Sequence, residues 1–203
     1  MVRNTNIHPV FERVIQREDK EKLIKQHSKV IWLTGLSGAG KTTIGATLEQ
    51  ELYNRGFLTQ MLDGDNIRAG LNKNLGFGLE DRLENIRRIA EVSKLFLNAG
   101  IITINCFITP TEAMRQLARD IIGSDDYIEV YVNAPLEVCE QRDVKGLYKK
   151  ARNGLIKNFT GIDSPFEPPS NPDIEIRTDK LSVEESVQII LNYILPKITY
   201  KEN

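Results

Sequence analysis

Short apolar runs alternate with amphipathic stretches along this chain, and that alternation predicts strands separated by helices. The strand candidates are 30–34, 59–62, 101–108, 127–132 and 174–177. Between the first two, 42–55 places Ile44, Leu48 and Leu52 on one face and stops at Gly56, which suits a helix C-terminus. Leu83, Ile86, Ala90 and Leu97 extend a longer helix over 80–99 up to Gly100, and 110–122 ends at Gly123. The last helix opens on Ser182-Val-Glu-Glu185, a capping-box pattern, and runs through Val187, Ile190, Leu191 and Ile194 to Pro196. Strands joined by helical crossovers make a parallel sheet covered on both faces. The expected fold is α/β, three layers around a five-stranded parallel sheet.

Two regions break the rhythm. Residues 1–28 read as a charged N-terminal arm with a short helix at 17–27, leaving 29–203 as the domain. Residues 142–172 hold no clear strand but carry Arg142, Lys145, Lys149, Lys150, Arg152 and Lys157, then a proline-rich stretch ending at Pro172. A long basic insertion between two strands reads as a lid over an anionic ligand, against the alternative of a solvated loop.

Composition narrows the class. The chain has 203 residues, 40% hydrophobic and 27% charged, with a net charge of -1, values that exclude a disordered chain and a globally basic nucleic-acid binder. Any anion must be held by local basic clusters. His8, His27, Cys106 and Cys139 are too few and too scattered for a zinc site, so both thiols are expected to be buried and reduced. No apolar run reaches membrane-span length and the start of the chain has no apolar leader segment, which points to a cytoplasmic protein.

The chemistry concentrates in Gly35-Leu-Ser-Gly-Ala-Gly-Lys-Thr42, a G-x-x-x-x-G-K-[ST] loop lying between a strand and a helix. Glycines let the backbone N–H groups wrap a phosphate at a helix N-terminus. Lys41 reaches the β- and γ-phosphates, and the Thr42 hydroxyl is a ligand for Mg²⁺. The loop alone does not choose between a GTPase, an ATPase and a small-molecule kinase. The guanine-reading N-K-x-D motif is missing: Asn72-Lys-Asn-Leu75 lacks the aspartate. Asp63-Gly-Asp65-Asn66 puts carboxylates at the carboxyl edge of the sheet, where they can hold Mg²⁺ or accept a proton from an attacking hydroxyl. With a basic lid, this favours phosphoryl transfer to a small hydroxyl acceptor. A non-catalytic nucleotide-binding regulator is the alternative from another class, and Asp63, Lys41 and Thr42 together argue against it.

A wider set of motifs resembles the adenylylsulfate kinase family. It comprises Trp32 to Thr42, Leu62-Asp-Gly-Asp-Asn66, Gly70-Leu-Asn-Lys-Asn-Leu-Gly-Phe77, Asp81-Arg82, Glu84-Asn-Ile-Arg-Arg88, Lys145-Gly-Leu-Tyr-Lys-Lys-Ala-Arg152 and Phe159-Thr-Gly-Ile-Asp163. The resemblance covers about residues 28 to 195, and implies a P-loop nucleoside-kinase-like fold acting on adenosine 5′-phosphosulfate with ATP and Mg²⁺. Gly35, Leu36, Ser37, Gly38, Ala39, Gly40, Lys41, Thr42, Thr43 and Arg142 would bind ATP. Asp65, Arg68, Phe77, Arg82, Asn85, Lys145, Leu147, Phe159, Gly161 and Ile162 would bind the acceptor. Phe77 and Phe159 would sandwich its adenine, while Arg68, Arg82 and Asn85 hold the phosphosulfate. Asp63 would be the general base, with Lys41 and Lys145 steadying the transferring group and Thr42 and Asp63 facing the metal. The resemblance also implies a homodimer and a functional link to ATP sulfurylase, for which a chain of this length has no fused domain.

Phe107-Ile-Thr-Pro110 departs from the Phe-Ile-Ser-Pro of many bacterial members, whose serine is assigned as a phosphoenzyme residue. Thr109 keeps a hydroxyl, but Thr109-Pro-Thr-Glu112 also reads as a capping box with proline at the first helical position. The expectation is that Thr109 caps the following helix rather than carrying phosphate.

Overall fold

The computed structural model describes residues 6–201, so the first five residues of the expected arm lie outside the described residues. Five strands, Val30–Thr34 (β1), Thr59–Asp63 (β2), Ile102–Cys106 (β3), Tyr127–Asn133 (β4) and Ile174–Arg177 (β5), form one parallel sheet in the order β2-β3-β1-β4-β5. β1 is central and wholly buried, because apolar residues on both faces leave water nothing to solvate. Ile31 and Leu33 point into one core with Ile44, Leu48 and Leu52 of Lys41–Asn54. Val30 and Trp32 point into the other with Ile86, Ile89 and Ala90 of Leu79–Asn98, where Trp32 meets Phe107 and Tyr127 at ring separations of 5.7 Å. Each such side chain removed from water contributes about 1.5–3 kcal/mol.

In chain order the helices are Arg17–Ile24 (α1), Lys41–Asn54 (α2), Gly64–Ala69 (α3), Leu79–Asn98 (α4), Glu112–Ile122 (α5), Leu136–Arg142 (α6), Leu147–Arg152 (α7) and Val183–Ile198 (α8). Helices α3, α6 and α7 have six or seven residues, too short for a periodic apolar face, and the sequence pattern passed over them. Local side chains start α3 and α7: the Asp63 carboxylate accepts the Asp65 N–H, and the Asp143 carboxylate accepts the N–H groups of Tyr148 and Lys149. Ser182 and Glu185 form the expected capping box of α8, which runs past Pro196 to Ile198.

The arm is fastened over its second half. Arg17 bonds both oxygens of Asp126 at 2.6 and 3.0 Å, and the Gln26 side chain spans the carbonyls of Leu58 and Gly100. These contacts close the amino edge of the sheet, opposite the phosphate loop. The basic insertion divides as well. Glu167 is tied to the start of α5 through the Pro110 carbonyl and the Glu112 N–H, and Phe166 stacks on Tyr131, so 165–173 is a strap rather than part of a hanging loop. Cys106 and Cys139 are buried free thiols, and burial pushes Cys106 up to about 12.

Candidate active site at the carboxyl edge of the sheet

The chain leaves β1 through Gly35 and turns at once into the phosphate loop. A Cβ on Gly35 would stand 2.3 Å from the Val132 carbonyl oxygen, so only glycine passes between β1 and β4 here. Leu36 and Ser37 are half-buried, Ala39 is buried, and Thr42 and Thr43 are exposed in the first turn of α2. Lys41 folds back over the loop, donating to the carbonyls of Gly35 (2.9 Å) and Leu36 (2.7 Å). Its ammonium is out of water, and that desolvation brings its pKa down to about 8. Arg142 lies across the loop from the end of α6, donating to the Gly38 carbonyl (3.2 Å) and the Thr178 carbonyl (2.6 Å). The Thr178 hydroxyl in turn donates to the Ala39 carbonyl. Tyr148 of α7 donates to the Ser37 carbonyl at 2.9 Å, tying the basic insertion to the loop. Tyr148 lay inside the motif the sequence displays, but an aromatic next to Leu147 reads as packing; Thr178 carried no signal at all.

The lysine has a consequence for pH. Above about pH 8 the ligand-free protein holds Lys41 neutral, whereas polyphosphate requires the ammonium. ATP binding at pH 9 is therefore expected to take up about 0.9 proton, and affinity to fall by up to about tenfold per pH unit above 8. Calorimetry in two buffers of different ionisation heat reads the uptake directly; none at pH 9 would show that Lys41 is already charged.

Across from the loop, β2 delivers Asp63. Its Oδ2 accepts the Thr42 hydroxyl at 2.8 Å and its Oδ1 accepts the Asp65 N–H at 3.0 Å. Asp65 is ion-paired to Lys145, so the lid cation sits beside the carboxylates at the sheet edge. Thr42 and Asp63 present adjacent hard oxygens. Among the described residues no group of three or more metal-ligating side chains occurs. A hydroxyl and a carboxylate oxygen side by side are the hard donors Mg²⁺ takes, one or two from protein with water and phosphate completing the shell.

A second group assembles around Arg82. Its Nε donates to the Phe77 carbonyl (2.8 Å), one terminal nitrogen to the Thr160 hydroxyl (2.7 Å) and the other to the Asn158 carbonyl. One guanidinium thus joins the Phe77 loop to both neighbours of Phe159. Phe77 is 63% exposed, with the Arg68 guanidinium 4.3 Å over its ring. Phe159 is half-buried instead, edge-on to Tyr148 at 5.0 Å, because the Asp163 carboxylate closes a tight turn on the N–H groups of Asn158 and Phe159. Leu147, Gly161 and Ile162 are half-buried on the same stretch, and a Cβ on Gly161 would meet Leu36 at 3.1 Å. Asn85 is buried one turn along α4 from Arg82 and receives a hydrogen bond from Asn72. Burial, and for Arg68 the nearby Arg82, lowers the pKa of both arginines.

Thr109 does not cap α5. The cap is Thr111, whose hydroxyl accepts the Met114 N–H, and Glu112 opens the helix and pairs with Arg115 at 2.8 Å. Pro110 keeps its predecessor out of the helical region, and Thr109 instead takes φ +44°, turning the chain beneath the phosphate loop. Its hydroxyl accepts the buried Trp32 indole N–H at 2.9 Å and is itself sealed from water. Thr109→Ala is expected to lose about 1–3 kcal/mol of stability by leaving that N–H unpaired, measured by denaturant unfolding. The folded variant is expected to keep turnover within a few-fold; an inert folded variant, with label from ATP alone on wild-type Thr109, would restore the phosphoenzyme reading.

The chain is similar to known proteins over its whole length. The adenylylsulphate kinase family model matches residues 27–177. The adenylyl-sulfate kinase of Bacteroides thetaiotaomicron is 60% identical over 99% of this chain and its own full length. That of Clostridium kluyveri is 55% identical over 97% of this chain and 98% of its own. Among solved structures, Mycobacterium tuberculosis APS kinase in complex with AMPPNP and APS superposes with a TM-score of 0.80 at 42% identity, covering 83% of this chain and 98% of that one. Matched by the family model over most of its length and by full-length relatives at 55–60% identity, the chain belongs to the adenylyl-sulfate kinase family.

Proposed function

We propose that this protein transfers the γ-phosphoryl group of ATP to the 3′-hydroxyl of adenylyl sulfate, releasing ADP and 3′-phosphoadenylyl sulfate. The observation that carries the reading is Arg82, which joins the Phe77 loop to the Phe159 turn and lies one helical turn before Asn85 on the same helix. An adenine nucleotide with a charged tail needs stacking surfaces and a fork of donors, and base–aromatic stacking is worth about 1–3 kcal/mol per base.

The residues divide the work. The phosphate loop and Lys41 hold the β- and γ-phosphates, and Arg142 with Thr178 backs the loop from behind. Thr42 and the Asp63 oxygen bonded to it would hold Mg²⁺, which supplies charge neutralisation on the phosphates. Asp63 Oδ1, accepting a single N–H, keeps a lone pair for the proton of the attacking hydroxyl. Lys145 leaves Asp65 for the transferring group when the acceptor arrives, and the lid, about 143–164, excludes water that would otherwise hydrolyse ATP. Direct transfer needs no phosphoenzyme. The natural setting is a cytoplasmic homodimer fed by ATP sulfurylase, and no described helix is long and apolar enough to cross a membrane.

An ADP-release assay with adenylyl sulfate, AMP, gluconate and shikimate as acceptors tests the reading. Turnover is expected with adenylyl sulfate alone. Equal or better turnover with another acceptor would make this a kinase of a different metabolite, and nucleotide binding without turnover on any would make it a regulator.

A further inference from the structure

We infer that Asn72 is a positioning residue for the acceptor: its side chain fixes the amide of Asn85 so that Asn85 presents N–H donors, not its carbonyl, to the acceptor's anionic tail. The inference rests on the acceptor reading of the Arg82 centre and extends it to a residue outside that centre.

Asn72 lies in the irregular segment between α3 and α4 and is fully buried, unusual for a polar residue in a loop. Its backbone already serves the turn: the N–H donates to the Ile67 carbonyl and the carbonyl accepts the Leu75 N–H. The side chain is therefore free for another task. Its Nδ2 donates to Asn85 Oδ1 at 3.0 Å, and its own Oδ1 has no partner. A buried amide that leaves one end unpaired is not there for stability, since the unpaired oxygen costs about 1–3 kcal/mol.

The bond settles which way Asn85 faces. With Oδ1 engaged by Asn72, Asn85 Nδ2 is engaged by none of the described residues and is not sealed from solvent. Turning both amides over would keep one N–H···O bond. It would also put the Asn72 NH₂, with two donors, where the partnerless oxygen now lies. A buried unpaired carbonyl is the milder of the two defects. The favoured orientation thus directs two donors of Asn85 outward on the helix face it shares with Arg82. Reversed, the same side chain would offer a carbonyl dipole to a phosphosulfate and repel it. The rest of the segment is held separately: Arg68 donates to the Leu75 and Gly76 carbonyls, and Arg88 donates to Asn74. Loss of the Asn72 amide need not release the segment.

A double-mutant cycle on the full chain decides it, reading KM for adenylyl sulfate, KM for ATP and Tm. Asn85→Ala is expected to raise the acceptor KM about tenfold or more, and Asn72→Ala to raise it about tenfold with KM for ATP unchanged. In the Asn85→Ala background, Asn72→Ala should change the acceptor KM less than about twofold, because its only route is already cut. Asn72→Asp, which can only accept, should draw the Asn85 NH₂ inward and exceed the alanine effect. The same factor for Asn72→Ala in both backgrounds, or a parallel rise in KM for ATP, would reduce Asn72 to a structural residue and overturn the inference while leaving the acceptor site intact. No effect of Asn85→Ala itself would instead remove Asn85 from the acceptor site, and this inference with it.

Discussion

Asp63→Asn is expected to lower kcat by about 10²–10⁴-fold with little change in KM for adenylyl sulfate. The substitution removes proton acceptance and the negative charge facing the metal while keeping the side chain's size and its oxygen. An asparagine oxygen still accepts the Asp65 N–H that starts α3, and its other end stays beside the Thr42 hydroxyl. The helix cap survives, so stability should stay within about 1 kcal/mol of wild type, whereas Asp63→Ala would forfeit the cap as well. The comparison separates chemistry from folding. Rapid-quench single turnovers with adenylyl sulfate and ATP are the measurement, because product release cannot mask the chemical step there. A kcat within a few-fold of wild type would place the base elsewhere, or show that a loose transition state needs none.

The meeting of Asp63 with Thr42 was legible in the sequence because of how the sheet codes itself. β1, β3 and β4 were legible because buried parallel strands are largely apolar runs, and although the edge strands β2 and β5 are partly polar and only half-buried, every run falls within a few residues of its observed bounds. Strand ends then locate chemistry: residues just past β1 and β2 must emerge at one edge, which brought Lys41, Thr42 and Asp63 together on paper. What escaped was set by tertiary contacts. The Phe159 turn is half-buried although its neighbours are polar, because Asp163 folds it onto Tyr148. Thr109 looked like a helix cap because Thr-Pro-Thr-Glu satisfies a local rule at two registers. The buried indole of Trp32, distant in sequence, selects the register in which Thr111 caps and Thr109 accepts. The strap over 165–173 was hidden likewise, since a proline-rich run reads as loose until Pro110 and Tyr131 are seen beneath it.

Gly35→Ala should be the most damaging single change in the phosphate loop. Its Cβ would meet the Val132 carbonyl oxygen at 2.3 Å, and backbone in a central parallel sheet cannot step aside. At φ +149° the residue also sits in a region that side chains rarely enter. The forced shift would carry off three contacts made by this one peptide region: the Gly35 N–H to the Ile108 carbonyl, and the Gly35 and Leu36 carbonyls that hold Lys41. A loss of about 3 kcal/mol or more is expected, together with a rise in Kd for ATP beyond 100-fold, on the order of that same free energy. Gly146→Ala is the control. That glycine opens α7 at φ +64° with open space around its Cβ position, so only the left-handed backbone term of about 1–2 kcal/mol applies and ATP affinity should hold. Denaturant unfolding and nucleotide titration on the two variants distinguish the effects. If Gly35→Ala bound ATP as Gly146→Ala does, the close passage between β1 and β4 would not be what shapes the phosphate loop.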